Sequence, residues 1–359
     1  MAAVDPGLAR AESFCEAYNL RLPILLAPMA GACPPSLSVA VAKAGGLGAC
    51  GALLMQPDAI TAWASDVRAG STGGFQLNLW IPDPAPARDE MAEQAVREFL
   101  DGWGPEVPAD AGNVTPPNFD AQCEAMLEAG PLVISSIMGL YPSTFVDRMK
   151  AKGIKWFATV TTVAEATAAQ DAGADVILAQ GMEAGGHRGA FDPAKAETSM
   201  VGLFSLLPAV VDAVKLPVIA TGGIADARGV AAALILGASA VQIGTGFLRC
   251  PEAKLAVAWA DAIGHSLPEE TLVTRAFSGR PGRSVATAYA RAATGAGAPV
   301  PAPYPVQRGL TQAMRDAATK NNDIDRMQAW AGQSARLAPA RPAGELLCDL
   351  WEGARALLS

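Results

Sequence analysis

The chain has 359 residues, 51% of them hydrophobic and 17% charged, with a net charge of −8 and a pI near 4.9. This excludes a disordered chain and leaves room for one large α/β barrel or two ordinary domains. The 27 Lys and Arg residues form no long block, so neither nucleic acid nor an anionic membrane is expected as a partner.

The N-terminus, Met1 to Pro6, lacks the basic and apolar regions of a secretion signal, and the longest apolar stretch, 229–243, is too short to span a bilayer. Short apolar runs then recur with Ala-rich helical segments between them. They are Pro23–Leu26, Leu47–Cys50, Phe75–Leu79, Leu132–Ser136, Trp156–Val160, Val176–Ala179, Val218–Thr221 and Ala240–Ile243. Their unalternating character predicts parallel strands buried on both faces. The economical fold is a (β/α)8 TIM barrel. A doubly wound open sheet is the second choice, and the dinucleotide fingerprint it would carry is missing.

The unit 152–180 shows the repeat most clearly. Thr162 and Glu165 have capping-box spacing, and Gly173 stands where a helix C-terminus needs a left-handed residue. Two stretches interrupt the pattern. Residues 82–120 read as a surface excursion with a helix through 88–100, and 249–330 as a helical insertion placed over the barrel mouth. The expected domains are therefore a cofactor-binding barrel (1–248), a helical substrate lid (249–330), and a return segment with closing helix (331–359). Six scattered cysteines, Cys15, Cys33, Cys50, Cys123, Cys250 and Cys348, without C-x-x-C spacing suit reduced thiols, no metal site and a cytoplasmic location.

In a barrel the ligand sits at the C-terminal strand ends, and polar or glycine residues gather there. Ala27-Pro28-Met29 follows the first strand, Asn78 ends the third and Gln180 the sixth. Gly222-Gly223 and Gly244-Thr245 follow the seventh and eighth, where such barrels bind phosphate through backbone N–H groups. Gln180 opens the loop Gly181-Met182-Glu183-Ala184-Gly185-Gly186-His187-Arg188-Gly189, which holds one of only two histidines. Its glycines bring backbone close to a ligand, and His187 is placed to act as acid, base or anion partner. The plain alternative is a Gly-rich turn with a surface histidine. Arg188 is expected to be solvated or paired with an acid, Glu183 being the candidate. His265 reads as surface.

Together, Gln180 to His187, Ala27-Pro28-Met29, Thr221-Gly222-Gly223-Ile224, Gly237-Ala238 and Gln242-Ile243-Gly244-Thr245 resemble the nitronate monooxygenase family. The resemblance resumes at Phe277-Ser278-Gly279-Arg280-Pro281, Tyr304-Pro305 and Trp330-Ala331-Gly332-Gln333. It implies FMN as cofactor, contacted by Ala27, Pro28, Met29, Asn78, Gln180, Gly185, Gly186, Gly222, Gly223, Gln242, Gly244 and Thr245, with His187 catalytic. The activity it implies is oxidation of an alkyl nitronate by O2 to a carbonyl compound and nitrite. His187 would hold the anion when protonated, or remove the α-proton of a nitroalkane when neutral. The same family implies an alternative, an NAD(P)H-dependent quinone or enoyl reductase. A non-catalytic flavin-binding protein is the reading from another class.

Topology adds two expectations. A chain returning from an insertion after the eighth strand must pass the barrel mouth, which brings Gly332 and Gln333 to the flavin side. Tyr304, after a Pro-rich run, would line the substrate pocket. Partners are then a small-molecule nitronate and O2, with no nucleic acid and no membrane. A homo-oligomer is compatible with the sequence, which defines no subunit number.

Overall fold

The computed structural model describes residues 5–359. Eight strands run parallel in one sheet: β1 (Ile24–Leu26), β2 (Gly48–Gly51), β3 (Phe75–Trp80), β4 (Val133–Ile137), β5 (Lys155–Val160), β6 (Val176–Gln180), β7 (Val218–Thr221) and β8 (Ala240–Ile243). Consecutive strands pair from β2 through to β8, and β8 pairs with β1. The ring closes through a parallel bridge between Leu25 and Leu47, where the Leu26 N–H donates to the Leu47 carbonyl at 2.9 Å. This is the expected TIM barrel. Its strands are apolar at successive positions because one face meets the barrel interior and the other meets the surrounding helices.

Local signals act as the chain composition suggests, with one difference. Thr162 caps the helix Val163–Asp171 by accepting from the Glu165 N–H at 3.2 Å, and Gly173 takes φ of +92°. The Glu165 carboxylate does not return to Thr162, however. It accepts from the Thr161 N–H at 2.6 Å and the Phe191 N–H at 2.8 Å, tying the ends of two strand loops together.

The N-terminal helix Pro6–Tyr18 closes the opposite end of the barrel. Phe14 and Tyr18 pack on Phe157 among Leu25, Leu47, Val133 and Val176. Nothing in the strand pattern pointed to this plug, because the helix precedes the first repeat.

The segment after β8 is less helical than expected. It contains the helices Val257–His265, Ala288–Ala292, Val306–Leu310 and Gln312–Lys320, but also an antiparallel hairpin, Thr271–Thr274 with Gly282–Val285. That hairpin takes a third strand from the barrel's own rim. Gly186–His187 pairs with it in register, His187 opposite Gly282 and Gly186 opposite Arg283. The earlier excursion is not a detached surface loop either. Val96 and Leu100 of its helix Glu90–Leu100 share a small apolar core with Phe277, Tyr289, Val306, Leu310 and Met314. The two excursions therefore fold as one body over the strand ends. The helix Ala343–Leu358 then packs outside the barrel, mainly against the helix Ala227–Ile235.

Among the described residues, no helix is long and apolar enough to cross a membrane. None of the possible metal-binding groups of three or more His, Cys, Asp or Glu occurs among them.

Candidate active site

A cavity of about 500 Å³ opens at the C-terminal ends of the strands. Its wall includes Ala27, Pro28, Met29, Asn78, Gln180, Gly185, Gly186, His187, Gly222, Gly223, Gln242, Gly244, Thr245, Tyr304 and Gly332. Gln333 is not on that wall. Its N–H donates to the Glu183 carbonyl at 2.9 Å, so it fastens the return segment to the β6 loop instead.

One end of the cavity is made of backbone. The N–H groups of Gly222, Gly223, Gly244 and Thr245 donate to no other group among the described residues. Gly222 and Gly223 take φ of +104° and +70°, which turns successive amides to the same side. A side chain on Gly223 would not enter the cavity, as a simple cradle would suggest; its Cβ would lie 3.1 Å from the Glu183 Cβ. At Gly186, as at Gly31, a Cβ would meet open space on the cavity wall, the two taking φ of +74° and +78°. Gly185 is closed in by the return segment, a Cβ there falling 2.5 Å from the Gly332 nitrogen. That segment is held by the Gly332 N–H donating to Thr245 Oγ1 at 3.0 Å and by Ser334 Oγ donating to the Gly223 carbonyl at 2.6 Å.

The floor carries amides. Asn78 donates its Nδ2 to Ser135 Oγ at 3.0 Å, and its side-chain oxygen is left without a protein donor. Gln242 accepts from Gln76 Nε2 at 2.9 Å and keeps its own Nε2 free. Gln180 is more committed. Its oxygen accepts from the Gly189 N–H at 2.8 Å and its nitrogen donates to the His187 carbonyl at 3.2 Å, so it clamps the loop that presents His187.

His187 is partly buried between two indoles, with ring centroids 4.6 Å from Trp80 and 4.9 Å from Trp330. Its Nε2 lies 2.7 Å from Ser278 Oγ, whose hydroxyl donates to the Arg280 carbonyl at 3.2 Å. When the hydroxyl gives its proton to that carbonyl, the imidazole is the donor in the pair and Nδ1 keeps a lone pair. Burial, followed by the positive charges of Arg280, Arg308 and Arg315, pushes the imidazole pKa down to about 3. His187 is therefore neutral at ordinary pH. Of its two expected roles, that of a base uses this neutral form, whereas that of a cationic anion partner does not.

Arg188 is also corrected. It is buried and donates to the Gln180 carbonyl at 2.6 Å and the Thr161 carbonyl at 3.3 Å, with no acid partner. Glu183 instead accepts the Leu203 N–H at 2.9 Å, at the start of the helix Leu203–Ala213. His265 is exposed, as expected, with Nδ1 2.8 Å from the Asp261 carbonyl.

Trp80, Ser278, Arg308, Trp330 and Ser334 were not anticipated as site residues. Trp80 could have been. It lies two residues beyond Asn78 on β3, and the period of a strand puts both on one face. Ser278 and Trp330 depend on pairings across the excursion that no local pattern reveals.

A parallel barrel with a glycine amide cluster at one end of its mouth and a neutral histidine in an aromatic wall at the other has the layout of an enzyme that uses a phosphate-bearing cofactor. The nitronate monooxygenase family model matches residues 13–353. A probable nitronate monooxygenase of Staphylococcus aureus (strain JH9) is 34% identical over 335 residues, covering 92% of this chain and 94% of the relative. Among solved structures, a nitroalkane oxidase from Streptomyces ansochromogenes superposes with a TM-score of 0.85 at 34% identity, covering 96% of this chain and 100% of its own. FabK from Thermotoga maritima gives 0.76 at 28% identity, with 96% of each chain covered. The chain belongs to the nitronate monooxygenase family. It is an oxidoreductase enzyme, and the family implies a flavin cofactor.

Proposed function

We propose that this enzyme binds FMN and uses O2 to oxidise alkyl nitronates to the carbonyl compound and nitrite. The observation that carries this reading is His187, held between two indoles in the same cavity wall as a cluster of unengaged backbone N–H groups.

The residues fit the cofactor by chemistry. The N–H groups of Gly222, Gly223, Gly244 and Thr245 would hold the phosphate, and the open space at Gly186 would leave room for a planar ring system. Asn78 offers an acceptor and Gln242 a donor, the two kinds of partner a flavin ring edge requires. Ala27, Pro28, Met29, Gln180, Gly185 and Gly332 would complete the cradle, with Gln333 supporting it from behind. When bound, FMN supplies the electron transfer between substrate and O2.

His187 acts through its uncharged form. With Nε2–H directed to Ser278, Nδ1 is the atom free to take the α-proton of a nitroalkane; a nitronate arriving preformed needs no such step. Trp80 and Trp330 hold the ring in place and keep water from it.

Replacing His187 with Asn separates these roles. Turnover of the neutral nitroalkane should fall by at least about 100-fold, with flavin retained and preformed nitronate affected far less. Because His187 loses its proton only near 3, nitroalkane kcat/KM should be level between about pH 5 and 8 instead of falling with acid through about 6.5, the ordinary histidine value. An unchanged nitroalkane rate in the variant would remove His187 from the mechanism. Flavin bleached under anaerobic conditions by NADH and not by nitronate would overturn the reaction itself.

A further inference from the structure

A base that protonates only near 3 removes a carbon-bound proton effectively only if the anion produced is stabilised nearby. Most of the cations around the cavity are already engaged. Arg315 donates to the Arg308 carbonyl at 2.8 Å, Gln312 Oε1 at 2.7 Å, Thr311 Oγ1 at 3.1 Å and Gln328 Oε1 at 3.2 Å. Arg280 pairs through Nε with Asp83 at 3.2 Å and, with its other two nitrogens buried, is not on the cavity wall; Arg283 donates to the Met182 carbonyl at 3.0 Å. Lys254, at the mouth, is exposed to solvent.

Arg308 differs from all of these. It stands on the short helix Val306–Leu310, half-buried on the same cavity wall as His187 and Tyr304. Its guanidinium makes no hydrogen bond and no ion pair among the described residues; only its carbonyl is used, by Arg315 and Thr311. Asp316 shares that wall but is exposed and accepts from Gln312 Nε2 at 2.6 Å. A second recess behind Arg308 carries Asp110, which is not in ion-pair contact with it either. The Asp316 carboxylate acts on Arg308 only from a distance, so the half-buried guanidinium keeps its donors for an anion that enters the cavity.

We infer that Arg308 is the substrate's oxyanion partner, its planar fork of N–H donors directed at the two oxygens of the nitro or nitronate group. The inference rests on the proposed nitronate chemistry. A guanidinium and a nitronate are both planar, and two parallel N–H···O bonds fix the substrate's orientation as well as its charge. The same charge that disfavours protonation of His187 then favours the anion formed when His187 takes the proton. The division of labour is clear: Arg308 binds and stabilises the anion, and His187 moves the proton.

The test compares Arg308→Gln and Arg308→Lys with the wild-type holoenzyme, using preformed nitronate, neutral nitroalkane, and nitrate as an inert planar anion read by its perturbation of the flavin absorbance. In Arg308→Gln the nitronate KM and the nitrate Kd should each rise at least about tenfold, with flavin content unchanged. The nitroalkane should lose kcat more than it gains in KM, since it becomes anionic only as it reacts. Lys should restore part of the anion binding and less of the rate. Unchanged nitrate binding and nitronate KM would overturn the role of Arg308 while leaving the proposed reaction intact. Equal KM increases for nitronate and nitroalkane would also overturn it, by reducing Arg308 to a support of the wall. If the wild type fails to turn over nitronate, the proposed reaction falls, and the nitrate titration still decides whether Arg308 is an anion site.

Discussion

The two ends of the cavity are made of different material. The end beneath β7 and β8 is backbone: unengaged amides, those of Gly222 and Gly223 in left-handed conformations, fastened from behind by the Thr245 and Ser334 hydroxyls. The end beneath the excursions is side chain: Trp80, His187, Tyr304, Trp330 and Arg308. Backbone donors present the same surface whatever residues surround them, provided the chain can take the required φ. Side-chain walls change shape and charge with a single substitution. The first arrangement suits an invariant group such as a cofactor phosphate, and the second suits a substrate that must be selected.

The sharpest way to break this comparison is at the backbone end. Gly223→Asp forces a side chain onto a left-handed residue and places a second carboxylate against Glu183, whose Cβ would be 3.1 Å away. The expected result is protein that purifies without flavin, seen as lost absorbance near the flavin band. Full flavin content would show that these amides hold no phosphate. A cut of intermediate size tests whether the excursions stand apart from the cofactor end. Leu310 is fully buried in their shared core, so Leu310→Ala should cost about 2–5 kcal/mol of stability in that body. Thermal melting should show the loss, while the flavin content of the folded protein stays level and the substrate KM rises. The smallest effect is expected at Tyr304, whose ring lies tilted against Trp80 with centroids 5.3 Å apart and whose hydroxyl has no partner among the described residues. Tyr304→Phe should raise the nitronate KM by about fivefold, the worth of roughly one hydrogen bond, with flavin unaffected. Unchanged kinetics would leave Tyr304 as a packing residue only.

The same division governs what could be read from the sequence. The barrel was legible because the strands are short apolar runs and the helices between them carry their own stop signals, as in Thr162 to Gly173, and those signals are local. The amide end was legible for the same reason, since Gly222-Gly223 and Gly244-Thr245 announce their conformation in the residues themselves. The side-chain end was not, because it depends on contacts between distant segments. Ser278 reaches His187 across 91 positions, and Val96 meets Leu310 through two excursions that looked independent. Arg188 was misread for a related reason. Its sequence neighbour Glu183 suggested an ion pair, whereas burial beneath the β6 loop left it carbonyl oxygens as partners. The lowered pKa of His187 likewise follows from burial, and then from arginines gathered by the fold, not from its sequence neighbours.

The pairing of Gly186–His187 with the hairpin strand Gly282–Val285 sets how this enzyme can move. A cover over a barrel usually swings on its own two connections. Here the strand bearing the histidine is stitched into the cover, with Arg283 adding a further tie to the Met182 carbonyl. Any swing of the hairpin must either unzip that ladder or draw His187 along with it. If the hairpin swings, the barrel mouth cannot open with the proposed base still in place, so an open enzyme would also be a disarmed one.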